Sequence, residues 1–400
     1  MLADRVPEVA TALREAGFDA WFLQDFHGHN PIATQMLGLD PEHLATRRAA
    51  VCIHADGTVR TLSHRIEQST LAHWSGERFA YSSYLEYAAG VAALVRGATR
   101  IACEYSEANR NPYLSYLDGG TVDLLRRSGE DCDTVLANSG ELVQHFSARL
   151  TAEQVDQYER SVAITTRAFE LVRGRLADIV RTGQPADERD IETAILDHFE
   201  SAGLDPDHPP IVAVGPNSGL PHYATGSGES TTIRPGDLVL VDLWGKLREP
   251  GAVFSDFTRM FFLGERPPQP MREAFETIAA ARDLAIERLR TASQPLAGAV
   301  LDQVARSHIA TAFDGRYVDA FSHRLGHSIT TELHGSGAHL DSHEVIETRP
   351  LVPGLLFSVE PGIYTPGFGV RTEVNVRIDD AGQPVVYAGG PIQTAIECVA

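Results

Sequence analysis

His323-Arg-Leu-Gly-His327-Ser-Ile-Thr-Thr-Glu-Leu-His334 holds three histidines, at gaps of four and seven. Sixteen histidines in 400 residues can cluster by themselves, so the triplet alone does not decide its role. Residues nearer the C-terminus give it meaning. Ser358-Val-Glu360-Pro-Gly and then Arg371-Thr-Glu373 add carboxylates to the imidazoles. That ligand mix suits zinc, manganese, cobalt or iron.

Composition narrows the function classes. The formal net charge is −20 and no dense Lys/Arg cluster is present, which argues against nucleic acid as a partner. No apolar run approaches the roughly 20 residues that span a bilayer. The start, Met1-Leu-Ala-Asp-Arg-Val-Pro-Glu, lacks a basic-then-apolar leader pattern. The expectation is a cytoplasmic protein with no membrane partner. A hydrophobic content of 43% supports a large core, and the length allows two or three domains. Cys52, Cys103, Cys132 and Cys398 form no Cys-x-x-Cys pair and are expected to be buried, reduced thiols.

Before residue 150 the pattern is that of a small mixed α/β domain. Val6, Val9, Ala10, Leu13 and Ala16 recur at helical spacing, and Gly17 closes that helix. Ala20-Trp-Phe-Leu reads as a buried strand. Ala49-Ala-Val-Cys-Ile and Thr58-Val-Arg-Thr-Leu flank Asp56-Gly57 as a hairpin. Tyr84 to Val95 and Thr121 to Arg127 read as helices, and Arg100-Ile-Ala-Cys-Glu as a strand. His27, His29, His43, His54, His64 and His73 have no metal-ligand spacing and read as surface or packing residues. Leu136-Ala-Asn-Ser-Gly reads as a loop, which leads to domains 1–148 and 149–400.

Thr151-Ala-Glu-Gln154 matches a capping box, in which two side chains satisfy free backbone N–H groups. The long helix it opens carries Ile164, Ala168, Leu171, Val172, Leu176, Ile179 and Val180 as its stripe. The chain then repeats an order of elements. Arg181-Thr-Gly-Gln-Pro185 leads into a helix with Ile191, Ala194, Ile195 and Phe199. Arg290-Thr-Ala-Ser-Gln-Pro295 follows a second long helix, Met271 to Leu289, and leads into one with Val300, Leu301, Val304 and Ile309. Each half ends in two strands, with Asp242 and Asp256 in the first and Glu360 and Glu373 in the second. The parallel predicts an internal duplication.

Leu238-Val-Leu-Val-Asp242-Leu-Trp is an apolar strand, and an acid within it needs a partner or a solvated strand end. Asp256 and Thr258 alternate onto one face, as do Arg371, Glu373 and Asn375. Each polar row suits either the solvent side of a sheet or a ligand cluster.

Taken together, Asp242, Asp256, His327, Glu360 and Glu373 stand in an order that resembles the pita-bread metallopeptidases: aminopeptidase P, prolidase and methionine aminopeptidase. The matching residues are Val241-Asp242-Leu, Ser255-Asp256-Phe-Thr-Arg259, Gly326-His327-Ser-Ile, Val359-Glu360-Pro-Gly-Ile-Tyr364 and Gly369-Val-Arg371-Thr-Glu373. They cover the chain from about 151 to 400. The first 150 residues look like the smaller domain of aminopeptidase P, prolidase and creatinase. The resemblance implies an α+β protein, a creatinase-like α/β domain followed by a pita-bread catalytic domain with a pseudo-twofold repeat. It implies two divalent ions, with Asp242 on one, His327 and Glu360 on the other, and Asp256 and Glu373 bridging. Manganese is the expected ion, and cobalt, zinc or iron also suit the set. Two cations about 3.5 Å apart need several anionic ligands and can ionise a bridging water near neutral pH.

The implied activity is that of an Xaa-Pro exopeptidase, acting as a homodimer on peptides with proline after the scissile bond. Glu360 is the implied proton shuttle. His222 matches a substrate-side histidine. His334 matches one that steadies the tetrahedral intermediate or the residue after the scissile bond. His323 matches a further active-site histidine. Arg371 is expected to pair with acids around the metals and to contact substrate. Three departures bear on the substrate more than on the metals: a longer Asp242-to-Asp256 interval, Gly335 after His334, and Ser328 in place of a common glycine. Two other readings stay open: a metal-dependent non-peptidase hydrolase or lyase on the same fold, and a non-catalytic binding module.

Overall fold

In the computed structural model, which describes residues 1–40, 45–128 and 134–400, the chain divides into two units, Met1–Ser147 and Ala148–Ala400. The first unit is a six-stranded sheet covered on both faces. Its strands are β1 (Ala20–Asp25), β2 (Ala49–His54), β3 (Val59–His64), β4 (Glu77–Tyr81), β5 (Arg100–Cys103) and β6 (Val135–Asn138), in the order β4-β3-β2-β1-β5-β6. Trp21 and Leu23 of β1 pack into one core and Ala20 and Phe22 into the other, so the strand is buried throughout. Gly57 closes the expected β2–β3 hairpin at φ +89°, a conformation that favours glycine. One expectation fails: Val135–Asn138 is a strand parallel to β5, not a loop. Its half-exposed position at the sheet edge hides the hydrophobic alternation that would mark it. Cys52 and Cys103 are buried as expected, whereas Cys398 is exposed. His43 and Cys132 lie outside the described residues.

The second unit begins with α1 (Ala152–Thr182), opened by the Thr151–Gln154 capping box and closed by Gly183 in the left-handed conformation. Then come α2 (Glu188–Ala202), β7 (Ile211–Val214), β8 (Leu238–Leu247) and β9 (Ser255–Leu263). The order recurs in α3 (Gln269–Arg290), α4 (Gly298–Thr311), β10 (Leu356–Val359), β11 (Gly362–Tyr364), β12 (Gly369–Arg371) and β13 (Val374–Ile378). β8 pairs antiparallel with β9 and β7, and β10 pairs antiparallel with β13.

Alternation along β8 sets the architecture. Val239, Val241 and Leu243 pack with Val172, Leu176, Ile195 and Phe199 of α1 and α2. Leu238 and Leu240 face the other way, into a core shared with α3, α4, Phe357 and Val376. Asp242 belongs to that second face, where the hydrophobic row gives way to polar groups. Glu360 and Glu373 depart from expectation by lying just beyond β10 and between β12 and β13, not within strands. Freed from strand pairing, both carboxylates turn toward the same pocket.

The histidine stretch has little regular structure and is held from α4. Asp302, fully buried, accepts from the Leu325 N–H at 2.9 Å, the Ser342 N–H at 3.0 Å and Arg306 Nη2 at 3.0 Å. Arg306 in turn donates to the Phe321 and His323 carbonyls, each at 2.8 Å. Removing a buried carboxylate strands the donors that it satisfied. Asp302→Ala is therefore expected to lower stability by about 3 kcal/mol, read as a lower urea midpoint at unchanged slope; a midpoint within about 0.5 kcal/mol of wild type counts against this anchor.

Candidate metal centre

The β8–β9 register puts Asp242 opposite Thr258 and Trp244 opposite Asp256, so the two acids are diagonal neighbours on one face. Asn375 on β13 fixes Asp256 from the other half of the unit. The Asp256 N–H donates to Asn375 Oδ1 at 3.1 Å, and Asn375 Nδ2 donates to the Asp256 carbonyl at 2.7 Å. The Tyr158 hydroxyl donates to the same Oδ1 at 3.0 Å. The row Arg371, Glu373, Asn375 is thus buried, not a solvent face.

His327 is positioned by its neighbours on β10. A Cβ on Gly326 would stand 2.0 Å from the Ser358 carbonyl oxygen, so this approach requires glycine. The Ser358 hydroxyl accepts the His327 N–H at 2.9 Å and donates to Glu360 Oε1 at 3.0 Å. The His327 Nδ1 faces the Ser328 carbonyl, an acceptor, which assigns the ring proton to Nδ1. Its Nε2 lone pair then looks at Asp256 Oδ2 and Glu360 Oε1, both at 3.3 Å. Burial holds the His327 ring below its ordinary pKa, which keeps it neutral. Three acceptor atoms facing one another repel unless a cation joins them.

Other observations test the fit of a metal. Ligand atoms of Asp256, His327 and Glu373 lie within 4.8 Å of one another, and all three residues are buried. Asp242 Oδ1 and Glu373 Oε1 are buried with no hydrogen-bond partner among the described residues. Burial pushes the Asp242 carboxyl up to about 6 and Asp256 up to about 7. It also raises Glu360, and it lifts Glu373 well above the ordinary carboxylate range; the charges of Asp256 and Asp242 add to both effects. The five residues therefore share one pocket, and its oxygen-rich donor set with one imidazole fits divalent cations.

Arg371 is the cation within this acidic group. It donates to Asp242 Oδ2, to Thr258 Oγ1 at 3.0 Å, and to the Tyr364 hydroxyl and Pro221 carbonyl at 3.2 Å each. The Thr258 hydroxyl in turn donates to Glu373 Oε2 at 2.9 Å. The expected pairing with an acid of the site is present, to Asp242. His323 Nδ1 bonds the Arg324 carbonyl at 2.7 Å, so its Nε2 accepts from the Tyr364 hydroxyl at 2.8 Å. Burial, then the charge of Arg371, pushes His323 down to about 3.

The His334 ring lies 4.3 Å from the His327 ring, centroid to centroid, and stays open to solvent. The adjacent His327 imidazole first, and partial enclosure of the ring second, disfavour a proton on His334 and hold it below the ordinary range. His222 is exposed, and it is near enough to be among the influences that lower both His323 and His334. Its loop is anchored by buried Glu188, which accepts from the Val214 N–H at 2.7 Å, Asn217 Nδ2 at 2.8 Å, the Tyr223 hydroxyl at 2.6 Å and the Gly226 N–H at 3.1 Å. Of the histidines in the first unit, His54 and His73 bond backbone carbonyls, and His27 and His29 are exposed. Sequence alone assigns no role to Ser358, Thr258, Asn375 or Tyr364. The first three stand two residues from a ligand, which is the available signal; Tyr364 has no such mark.

A pH effect arises from the raised carboxyls. An unfolded aspartate titrates near about 3.9, below the folded values of about 6 for Asp242 and about 7 for Asp256. The folded, metal-free protein binds more protons in that window. The stability this contributes is present below the unfolded value and is lost as pH rises through the folded one. His323, His327 and His334, held below their ordinary range, act in the opposite sense over the same window. The carboxyls are therefore read through the metal: a divalent ion is expected to raise the melting temperature more at about pH 8 than at about pH 5, because it then displaces fewer protons. A metal-induced rise that is larger at about pH 5 than at about pH 8 contradicts the raised carboxyls.

Comparison with known proteins agrees with this geometry. Residues 156–380, more than half of the chain, match the model of metallopeptidase family M24. The chain is 38% identical over 172 residues to an Xaa-Pro dipeptidase of Lactobacillus delbrueckii subsp. lactis, covering 43% of this chain and 41% of that one. It is 30% identical over 238 residues to an Xaa-Pro dipeptidase of Pyrococcus furiosus, covering 58% and 61%. These matches span less than two thirds of either relative's length. The crystal structure of the dipeptidase PepE of Mycobacterium ulcerans superposes with a TM-score of 0.70 at 21% identity, over 100% of this chain and 98% of that one, which shows the shared pita-bread fold. With its acids and histidine gathered at one buried centre and the family model spanning most of its second unit, the chain belongs to metallopeptidase family M24.

Proposed function

We propose that the chain is a divalent-metal-dependent exopeptidase that cleaves the bond before proline. One observation carries the reading: three buried ligand residues, Asp256, His327 and Glu373, converge with Asp242 and Glu360 beside them, and two buried carboxylate oxygens lack partners among the described residues. Proline preference rests on the names of the relatives, which are Xaa-Pro dipeptidases. Manganese as the resident ion, a homodimer and a cytoplasmic location are part of the same proposal. Among the described residues, no helix is long and apolar enough to cross a membrane. A scaffold without catalysis has no use for so costly a cluster of buried acids.

The proposed ligands are Asp242, Asp256, His327, Glu360 and Glu373. When bound, divalent ions supply electrophilic activation and a nucleophile at neutral pH. The chain's own groups do the rest. Glu360, with one oxygen held by Ser358, is suited to carry a proton from the nucleophile to the leaving amine. His334 and His222, open to solvent beside the ligands, are assigned to the substrate carbonyl and the residue after the scissile bond. His323, kept neutral and oriented by Tyr364, backs that wall. Arg371 is assigned to fix Asp242 and to contact the substrate from that side of the site.

Chelated protein reconstituted with Mn²⁺, Co²⁺ or Zn²⁺ is expected to hydrolyse Xaa-Pro peptides in a panel that includes guanidino and cyclic-amidine compounds. Hydrolysis of those compounds alone would move the protein to a non-peptidase reaction. Glu360→Gln should lower kcat by about 10² to 10⁴; a rate equal to wild type sinks the shuttle.

A further inference from the structure

We propose that Trp244 determines substrate specificity, and that its indole N–H donates to an oxygen acceptor of the bound peptide. The inference rests on the peptidase reading above. Along β8, Leu243 packs into the helix-side core, so Asp242, Trp244 and Lys246 point to the opposite face. Trp244 stands directly across from Asp256 in the β8–β9 register. Lys246, next on that face, donates from Nζ to the Thr331 carbonyl at 2.6 Å. The indole therefore lies between a proposed metal ligand and the loop that carries His334.

The ring is half-buried, and Trp244 and Leu333 both pack against the cluster of Phe254, Ile329 and Leu356. Leu333 immediately precedes His334. The indole Nε1 is buried and has no hydrogen-bond partner among the described residues. A buried indole N–H normally finds an acceptor. Indole donates only, so its partner is an oxygen, not a cation or an amine. Nε1 is closed to solvent in the free protein, so the proposal requires the half-buried ring to turn when peptide binds. A peptide passing Asp256 then offers carbonyl or carboxylate oxygens, and the flat ring offers an apolar wall to the side chain beside them. Trp244 would thus favour peptides whose acceptor and apolar side chain lie on the same side of the scissile bond.

The test uses metal-loaded full-length protein, the variants Trp244→Phe and Trp244→Leu, and Xaa-Pro dipeptides with free or amidated C-termini. Trp244→Phe keeps the ring and deletes the donor. It is expected to raise KM about fivefold to tenfold with kcat within about threefold. Trp244→Leu should raise KM further. If the acceptor is the terminal carboxylate, the Trp244→Phe penalty is confined to free-acid peptides; if it is a peptide carbonyl, both forms show it. Either pattern supports the donor role. Trp21 and Trp74, the other two tryptophans, are buried in the first unit. Titration with a non-hydrolysed Xaa-Pro analogue should therefore change the fluorescence of wild type, and this change should vanish in Trp244→Phe. Wild type that cleaves Xaa-Pro peptides while Trp244→Phe matches it in KM and kcat overturns the role of Trp244 alone. Wild type that neither cleaves nor binds any Xaa-Pro peptide overturns the peptidase reading and this inference with it.

Discussion

Mutual repulsion among buried carboxylates is the constraint on which the second unit depends. Asp242, Asp256 and Glu373 are buried and Glu360 nearly so; burial pushes each toward its protonated form, neighbouring carboxylates add to this at Asp242, Glu360 and Glu373, and Arg371 opposes it at all four. Arg371 alone offsets only part of that charge, because its guanidinium binds the Asp242 side of the pocket. The rest of the arrangement makes physical sense when cations stand among the acids. Without them, the His327 lone pair and two carboxylate oxygens face one another with nothing to join them.

Holding such a group together requires rigid support from both halves. Asn375 on the second strand pair clasps the backbone of Asp256 on the first, and Thr258 on the first pair holds Glu373 beside the second. These cross-links join elements more than 110 residues apart in sequence. The histidine stretch, which has no strand or helix to stiffen it, borrows rigidity from α4, through buried Asp302 and its half-buried partner Arg306. The exposure of His334 and His222 contrasts with this frame and leaves the substrate side open.

The sequence reveals the parts of this design that depend on short-range pattern. The capping box at Thr151, the αL glycine after the long helix and the alternation on β8 are local features with local causes. The ligand set is legible from motif order, since spacing alone cannot bring His327 to Asp256. Three things are out of reach. The edge strand Val135–Asn138 has no clear alternation because its exposure leaves little to bury. Glu360 and Glu373 look like strand residues because the apolar pattern runs up to each of them. Arg371 is expected beside acids of the site, but nothing local shows that the acid is Asp242, 129 positions away.

The central claim is that the four acids and His327 surround a pair of cations. Anomalous diffraction from crystals of manganese-loaded protein, recorded at the manganese edge, tests it most directly. Two peaks inside the pocket, one against Asp242, one against His327 and Glu360, with Asp256 and Glu373 between them, are the predicted result. Manganese peaks elsewhere on the protein, with none touching His327, would contradict the account.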